Sequence, residues 1–381
     1  MDSFTSKKAS EQINSGSVSF FCFFLVTVLF VLALVPILTS FAYHESPKLL
    51  LASLNNDSGG EKEPPEQSFV PVFAPSSVVI KPNATSQTVV FGKDDKTKVD
   101  SQFAVLLDAE TGEILAGKQS DVQFSPASMT KVMTLIVACE NLSAQDLERK
   151  IPFSEEIHKY VTTGEYTGLE LGLPTITSSG INCIGDSYYI KDLLYGIGIK
   201  SAADCTYMVV KEICDNEQDF VSLMNQKAKE MGLTKTVFNN VVGFDSAGNQ
   251  TTAEEMAVIM AYAMQSDLIA DILTPRSASY GIRAYYTDVD GEERDYGVWF
   301  ESTFASRKDK YKQFNLTTSC LDATKTGYTN ESFIVCMATS KQTGRQYVLV
   351  LGNQKTDYTT LTEKFKATMI DIEFLCNEYI K

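Results

Sequence analysis

Ser125-Pro126-Ala127-Ser128-Met129-Thr130-Lys131-Val132-Met133-Thr134-Leu135-Ile136-Val137-Ala138-Cys139 is the stretch on which the reading of this chain turns. Ser125 suits an N-cap, and Pro126 suits a first helical position, where its missing N–H costs nothing. The run from Val132 to Cys139 is nearly all apolar, so the helix is expected to be buried along most of its length. Ser128 and Lys131, three residues apart, then share one face in its first turns. A lysine at the mouth of a buried helix is driven toward its neutral form, and a neutral amine can take a proton from a serine hydroxyl. On spacing alone an ordinary capped helix with a solvated lysine is the commoner outcome, because Ser-x-x-Lys recurs by chance.

Composition shifts that balance. The chain has 381 residues and a net charge of −15, from 33 basic and 48 acidic side chains, with no basic stripe. Nucleic acid is therefore not an expected partner. The two histidines, His44 and His158, lack metal-ligand spacing, so neither a metal site nor a histidine base is expected. For a hydroxyl nucleophile, lysine is the most available base. Eight cysteines, from Cys22 to Cys376, form no Cys-x-x-Cys and read as mostly buried thiols.

Residues 18–42 carry no charge and are rich in Phe, Leu and Val, long enough to cross a bilayer as a helix. Lys7 and Lys8 place residues 1–17 in the cytoplasm. Ser40-Phe41-Ala42 also resembles a cleavage site, so a signal peptide competes with an uncleaved anchor, the preferred reading. Either way the remainder is exported. Residues 43–101 hold six of the eleven prolines and read as a disordered linker.

A folded domain is expected over 102–381. Phe103 to Leu107 reads as a buried strand, Asp108 to Gly112 as a turn, and Glu113 to Ala116 as the return strand. Near the other end, Ser332 to Thr339 and Gln346 to Leu351 form a matching meander. A closing amphipathic helix over Leu361 to Tyr379 turns Phe365, Met369, Ile372 and Leu375 inward. Residues 125–273 read as mostly helical, and 280–320 as strand and loop. The expected fold is α/β (α+β), with an antiparallel sheet built from both chain ends and a helical subdomain between them.

Two further elements bear on Ser128. Ser201-Ala202-Ala203-Asp204 opens a helix running to about Cys214, and Lys325-Thr326-Gly327 starts a sheet-edge strand. Taken singly, Ser201 is an N-cap and Lys325 an edge lysine. In order, Ser-x-x-Lys, Ser at a helical turn and Lys-Thr-Gly resemble the penicillin-recognising serine enzymes. The segments Ser125 to Thr134 and Asp322 to Asn330 are similar to the first and third motifs of the serine-type D-Ala-D-Ala carboxypeptidases, low-molecular-mass penicillin-binding proteins of peptidase family S11. Met224 to Leu233, Thr236 to Asn240 and Thr252 to Met256 add to a resemblance that covers roughly Phe103 to Asn377.

That resemblance implies a β-lactamase/transpeptidase-like fold. It implies Ser128 as nucleophile, Lys131 as general base and Ser201 as proton relay. Lys325 and Thr326 would hold the substrate carboxylate, and Gly327 would let substrate lie along the strand. The N–H groups of Ser128 and Tyr328 would form the oxyanion hole. It implies a peptidoglycan stem peptide ending in D-Ala-D-Ala as substrate, β-lactams as inhibitors, no cofactor and no metal. The expected location is a bacterial cell membrane, with the catalytic domain outside.

The chain departs from the family pattern in three places. Ala203 stands where the second motif carries Asn, and Lys355 to Thr360 lacks an arginine that some members have there. Lys381 follows directly on the last helix, so the expected attachment is the N-terminal segment. A degenerate peptidoglycan-binding homologue is the alternative that Ala203 favours. A β-lactamase fits least, for want of a Glu-x-x-Leu-Asn segment.

Overall fold

Phe103-Ala104-Val105-Leu106-Leu107 is apolar without alternation because both faces of its strand are covered. In this computed structural model the described residues are 69–381, apart from 76–79, 92–98, 164–168, 177–181, 245–247, 276–278, 311–320, 330, 355–359 and 381. The central strand β2 (Ser101–Asp108) has β1 (Asn83–Val90) and β3 (Glu113–Lys118) to one side. To the other lie β10 (Gln346–Gln354), β9 (Ser332–Thr339) and finally β8 (Leu321–Tyr328). The pairings from β3 to β8 are antiparallel, as expected, whereas β1 runs parallel to β3.

Phe103, Val105 and Leu107 point into a large core with α1 (Thr130–Asn141), α2 (Ala203–Ile213), α3 (Glu217–Glu230) and α4 (Ala253–Ala263). Ala104 and Leu106 face a second core, closed by α6 (Leu361–Tyr379), with α5 (Thr303–Lys310) preceding it in the chain. Phe365, Met369, Ile372 and Leu375 of α6 are all buried there, as the helical period predicts. Thr360 and Glu363 form a capping box at the start of α6. Asp371, buried in α6, accepts from Asp100 N (2.9 Å), Ser101 N (2.8 Å) and Ser101 Oγ (2.7 Å), tying α6 to the first residues of β2.

Several expectations need correction. Of the linker read over 43–101, residues 43–68, 76–79 and 92–98 lie outside the described ones, but described residues between them are bonded into the domain. Val72 N donates to Leu142 O (2.7 Å) and Phe73 N to Cys139 O (3.0 Å), and Phe73 and Phe91 are buried. β1 is polar in its first half and reads as loop by composition. It needs only one apolar turn, Val89 to Phe91, because it is an edge strand. The mostly helical stretch also holds β4 (Lys150–Pro152) and β5 (Ser187–Tyr189). They join β6 (Ser279–Thr287) and β7 (Glu293–Glu301) in a second, four-stranded sheet. The hairpin turn expected at Asp288 to Gly291 is present, but α5 occupies part of what was read as strand and loop. The segments 1–17 and 18–42, with Cys22 and Cys320, lie outside the described residues. Cys139 and Cys205 are buried free thiols, in keeping with the sequence reading.

Candidate active site

Ser125 does not cap α1. A 3-10 turn, Ala127–Met129, comes first, and the Ser125 hydroxyl is buried without a hydrogen-bond partner. Ala127 is left-handed (φ 49°), a conformation that costs a β-carbon-bearing residue about 1 kcal/mol. Two glycines hold it there. A Cβ on Gly243 (φ +80°) would sit 1.8 Å from Ala127 O, and one on Gly327 would sit 2.8 Å from Pro126 O. The third motif therefore packs directly on the backbone that precedes Ser128. We expect Gly243→Ala to destabilise the domain by at least ~3 kcal/mol, since the added methyl meets main chain and the φ is left-handed. A thermal melt within a degree or two of the wild type would show that this loop can give way.

Ser128, half-buried, lies with its Oγ 3.1 Å from Lys131 Nζ. Lys131 is 1% exposed and also donates to Val242 O at 2.7 Å. Burial pushes its pKa from 10.5 down to about 7, while the Glu170 carboxylate pulls the other way. The Val242 carbonyl is positioned by a loop wound around one side chain. Asn240 Oδ1 accepts from the amides of Val242 (3.2 Å), Gly243 (2.7 Å) and Phe244 (2.9 Å). Asn249 Nδ2 ties that loop to α1 through Thr130 Oγ1 (3.1 Å). The sequence offered no signal for a carbonyl ligand. Asn240 was visible only within a segment similar to the family.

A second pair completes the set. Ser201 follows a π-helical turn, Gly196–Lys200, and is left-handed itself (φ 62°). Its Oγ accepts from Lys325 Nζ at 2.9 Å, and Lys325 is 1% exposed. π-turns of this kind concentrate at functional positions. Ser201 is not the N-cap its sequence suggests; Ala202 takes that place. Ala203 is buried at the start of α2, where its N–H donates to Glu170 O (2.8 Å). Asp204, unremarked in the sequence, accepts from Gly172 N (2.9 Å) and Leu173 N (2.8 Å), which clasps the 170–173 strand of chain onto the second motif.

On β8, Thr326 Oγ1 lies 2.9 Å from Thr303 Oγ1 at the start of α5, a neighbour the sequence did not point to. The Tyr328 phenol donates to Leu361 O (2.9 Å), so its side chain is turned toward α6. β8 is the edge strand of its sheet, as Lys325-Thr326-Gly327 predicted. Asn330 and residues 355–359 lie outside the described residues.

Among curated relatives, the D-alanyl-D-alanine carboxypeptidase DacF of Bacillus subtilis (strain 168) is 28% identical over 257 residues, 68% of this chain and 58% of its own. DacC of Escherichia coli (strain K12), also a D-alanyl-D-alanine carboxypeptidase, is 30% identical over 50% of this chain and 44% of its own. The chain thus spans roughly half the length of these relatives. Mutant forms of the Streptomyces K15 DD-transpeptidase share the fold. One aligns with a TM-score of 0.58 at 19% identity, over 73% of this chain and 98% of that one. A putative penicillin-binding protein homologue from Mycobacterium tuberculosis gives a TM-score of 0.54 at 23% identity, over 76% and 96%. The profile of the D-alanyl-D-alanine carboxypeptidases matches residues 89–356, which takes in all three motifs. On that match this chain belongs to the D-alanyl-D-alanine carboxypeptidase family, peptidase family S11.

Proposed function

We propose that the protein is a serine D-Ala-D-Ala carboxypeptidase that trims the terminal D-alanine from peptidoglycan stem peptides. Segment 18–42 would tether it, with the catalytic domain outside the bacterial membrane. The observation that carries this reading is a fully buried Lys131 with its Nζ 3.1 Å from Ser128 Oγ and 2.7 Å from Val242 O. With one N–H given to the carbonyl, the lone pair of the neutral amine can face the serine hydroxyl.

In this mechanism Ser128 Oγ gives its proton to Lys131 Nζ and bonds to the penultimate D-alanine's carbonyl carbon. The resulting oxyanion lies against the N–H groups of Ser128 and Tyr328, at the positive end of α1. The C–N bond then breaks as the Ser201 hydroxyl passes a proton to the departing D-alanine amine and takes in its place the proton held by Lys131, which leaves Lys131 neutral again. Lys325 and Thr326 hold that residue's carboxylate. Water attacks the ester carbonyl carbon and gives its proton to Lys131; the ester C–O bond breaks, Lys131 returns the proton to Ser128 Oγ, and the trimmed peptide leaves. A β-lactam would acylate Ser128 and stay.

Incubation with a fluorescent penicillin and with a D-Ala-D-Ala peptide tests the proposal. Labelling together with D-alanine release supports it. Labelling without release favours a peptidoglycan-binding homologue that has lost turnover, the reading that Ala203 supports. Rapid penicillin turnover would mean a β-lactamase. Restoring the amide with Ala203→Asn is expected to raise D-alanine release roughly two- to tenfold, the worth of one substrate hydrogen bond. A fall in release would mean that the buried site at Ala203 rejects the larger side chain.

A further inference from the structure

The outer face of the β6–β7 hairpin carries the chain's single tryptophan, and Trp299 is 68% exposed. Its strand neighbours Val298 and Phe300 point inward and are buried, so the indole's exposure follows from the strand's alternation. The ring is laid over glycine. Gly281 is directly opposite Trp299 in the ladder, and a Cβ there would come within 2.7 Å of the indole's six-membered ring. A Cβ on Gly297, two residues earlier on the same face, would lie 3.7 Å from the indole Nε1. Two missing side chains let the indole lie along the sheet and turn a flat face to solvent. On the same face, Arg283, opposite Gly297 in the ladder, donates from Nη1 to Asp295 Oδ1 at 2.5 Å, which puts a pair of exposed hydrogen-bonding groups one ladder step from Trp299.

An isolated indole with polar neighbours is small for a protein interface. Residues 279–301 hold six acidic and two basic side chains, which disfavours an anionic lipid surface. A flat aromatic face with hydrogen-bonding groups one ladder step away suits a neutral sugar ring, whose C–H face stacks while its hydroxyl and acetamido groups reach toward them. Position agrees. Thr303, whose hydroxyl meets Thr326, is only four residues beyond Trp299, at most about 14 Å along the chain. Three or four stem-peptide residues between scissile bond and sugar span about 10–14 Å.

We propose that Trp299, seated on Gly281 and Gly297, is a subsite for the β-1,4-linked N-acetylhexosamine strand that carries the stem peptide. The assignment rests on the function proposed above, and it has its own readout. The full chain is titrated with chitotetraose while the emission of its one tryptophan is followed. A saturable change is expected, and Gly281→Val, which props up the indole, should weaken it about five- to tenfold. Trp299→Ala should raise KM by a similar factor for a disaccharide-linked stem peptide and leave a sugar-free D-Ala-D-Ala peptide unchanged.

No emission change up to millimolar chitotetraose overturns the proposal. So does an emission shift with anionic vesicles but not with the sugar, or an equal loss on both peptides. Penicillin labelling in the same preparation keeps the two readings apart. Labelling without sugar binding removes only the subsite, and sugar binding without labelling removes only the carboxypeptidase.

Discussion

Ser128→Ala is expected to abolish covalent penicillin labelling and to lower D-alanine release by at least about a thousandfold. The substitution removes the only atom that can carry the acyl group in the proposed reaction. It disturbs little else. Ser128 is half-buried and its hydroxyl meets the Lys131 amine, so stability should stay within about 1 kcal/mol of the wild type. Gel fluorescence after incubation with labelled penicillin reads the first effect, and a thermal melt reads the second. Persistent labelling, or D-alanine release near the wild-type rate, would sink the acyl-enzyme reading.

Lys131→Met should separate activity from stability in the opposite sense. Acylation is expected to fall by about a thousandfold or more, because among the described residues no other base lies on the Ser128 hydroxyl. The melting temperature should nevertheless rise. Lys131 titrates near 7 in the folded protein and at 10.5 when solvated, so between those values the unfolded chain binds more protons. Its burial is therefore a destabilising contribution, fully present below pH 7 and lost as the pH rises toward 10.5. The gap corresponds to roughly 4–5 kcal/mol. Methionine removes that term but leaves Val242 O without its donor, at about 1–3 kcal/mol. A net gain of about 1–3 kcal/mol at pH 7 follows, read as a melting temperature several degrees higher. Wild-type labelling should climb with pH through about 7, the range in which Lys131 becomes neutral. A climb confined to the region near 10 would mean that Lys131 is an ordinary solvated lysine.

Much of this arrangement was legible in advance. The spacing of Ser128 and Lys131 became a 3.1 Å contact, and the apolar period of 361–379 became a helix with four named residues buried. A sheet built from both chain ends was read from apolar runs at opposite ends of the folded region, and β2 pairs with β10 at its centre. What escaped the reading has physical reasons. β4 and β5 are three residues long, too short for a period of two to register, and they are held by pairing with distant strands. The hydrogen bond from Lys131 to Val242 uses a backbone carbonyl, which leaves no residue-type signature. Ser125 and Ser201 look like caps by type, but the approach of Gly243 and Gly327 and the π-turn redirect the chain at each. β1 was hidden because Thr, Ser and Gln at a sheet edge resemble a linker.

The order of the strands also bears on the protein's birth. β8 joins the main sheet only through β9 and then β10, and β10 pairs with β2, made some 240 residues earlier. The Asp371 bridge to Asp100 and Ser101 spans more than 250 residues again. Contacts so distant in sequence form late. On the function proposed above, a chain still being synthesised and exported would already display Ser128 and Lys131, but with the lysine solvated, charged and unable to act as a base. Reactivity would then appear only when the last strands lock the sheet, so the topology that activates the proposed nucleophile would also keep it inert until folding is complete.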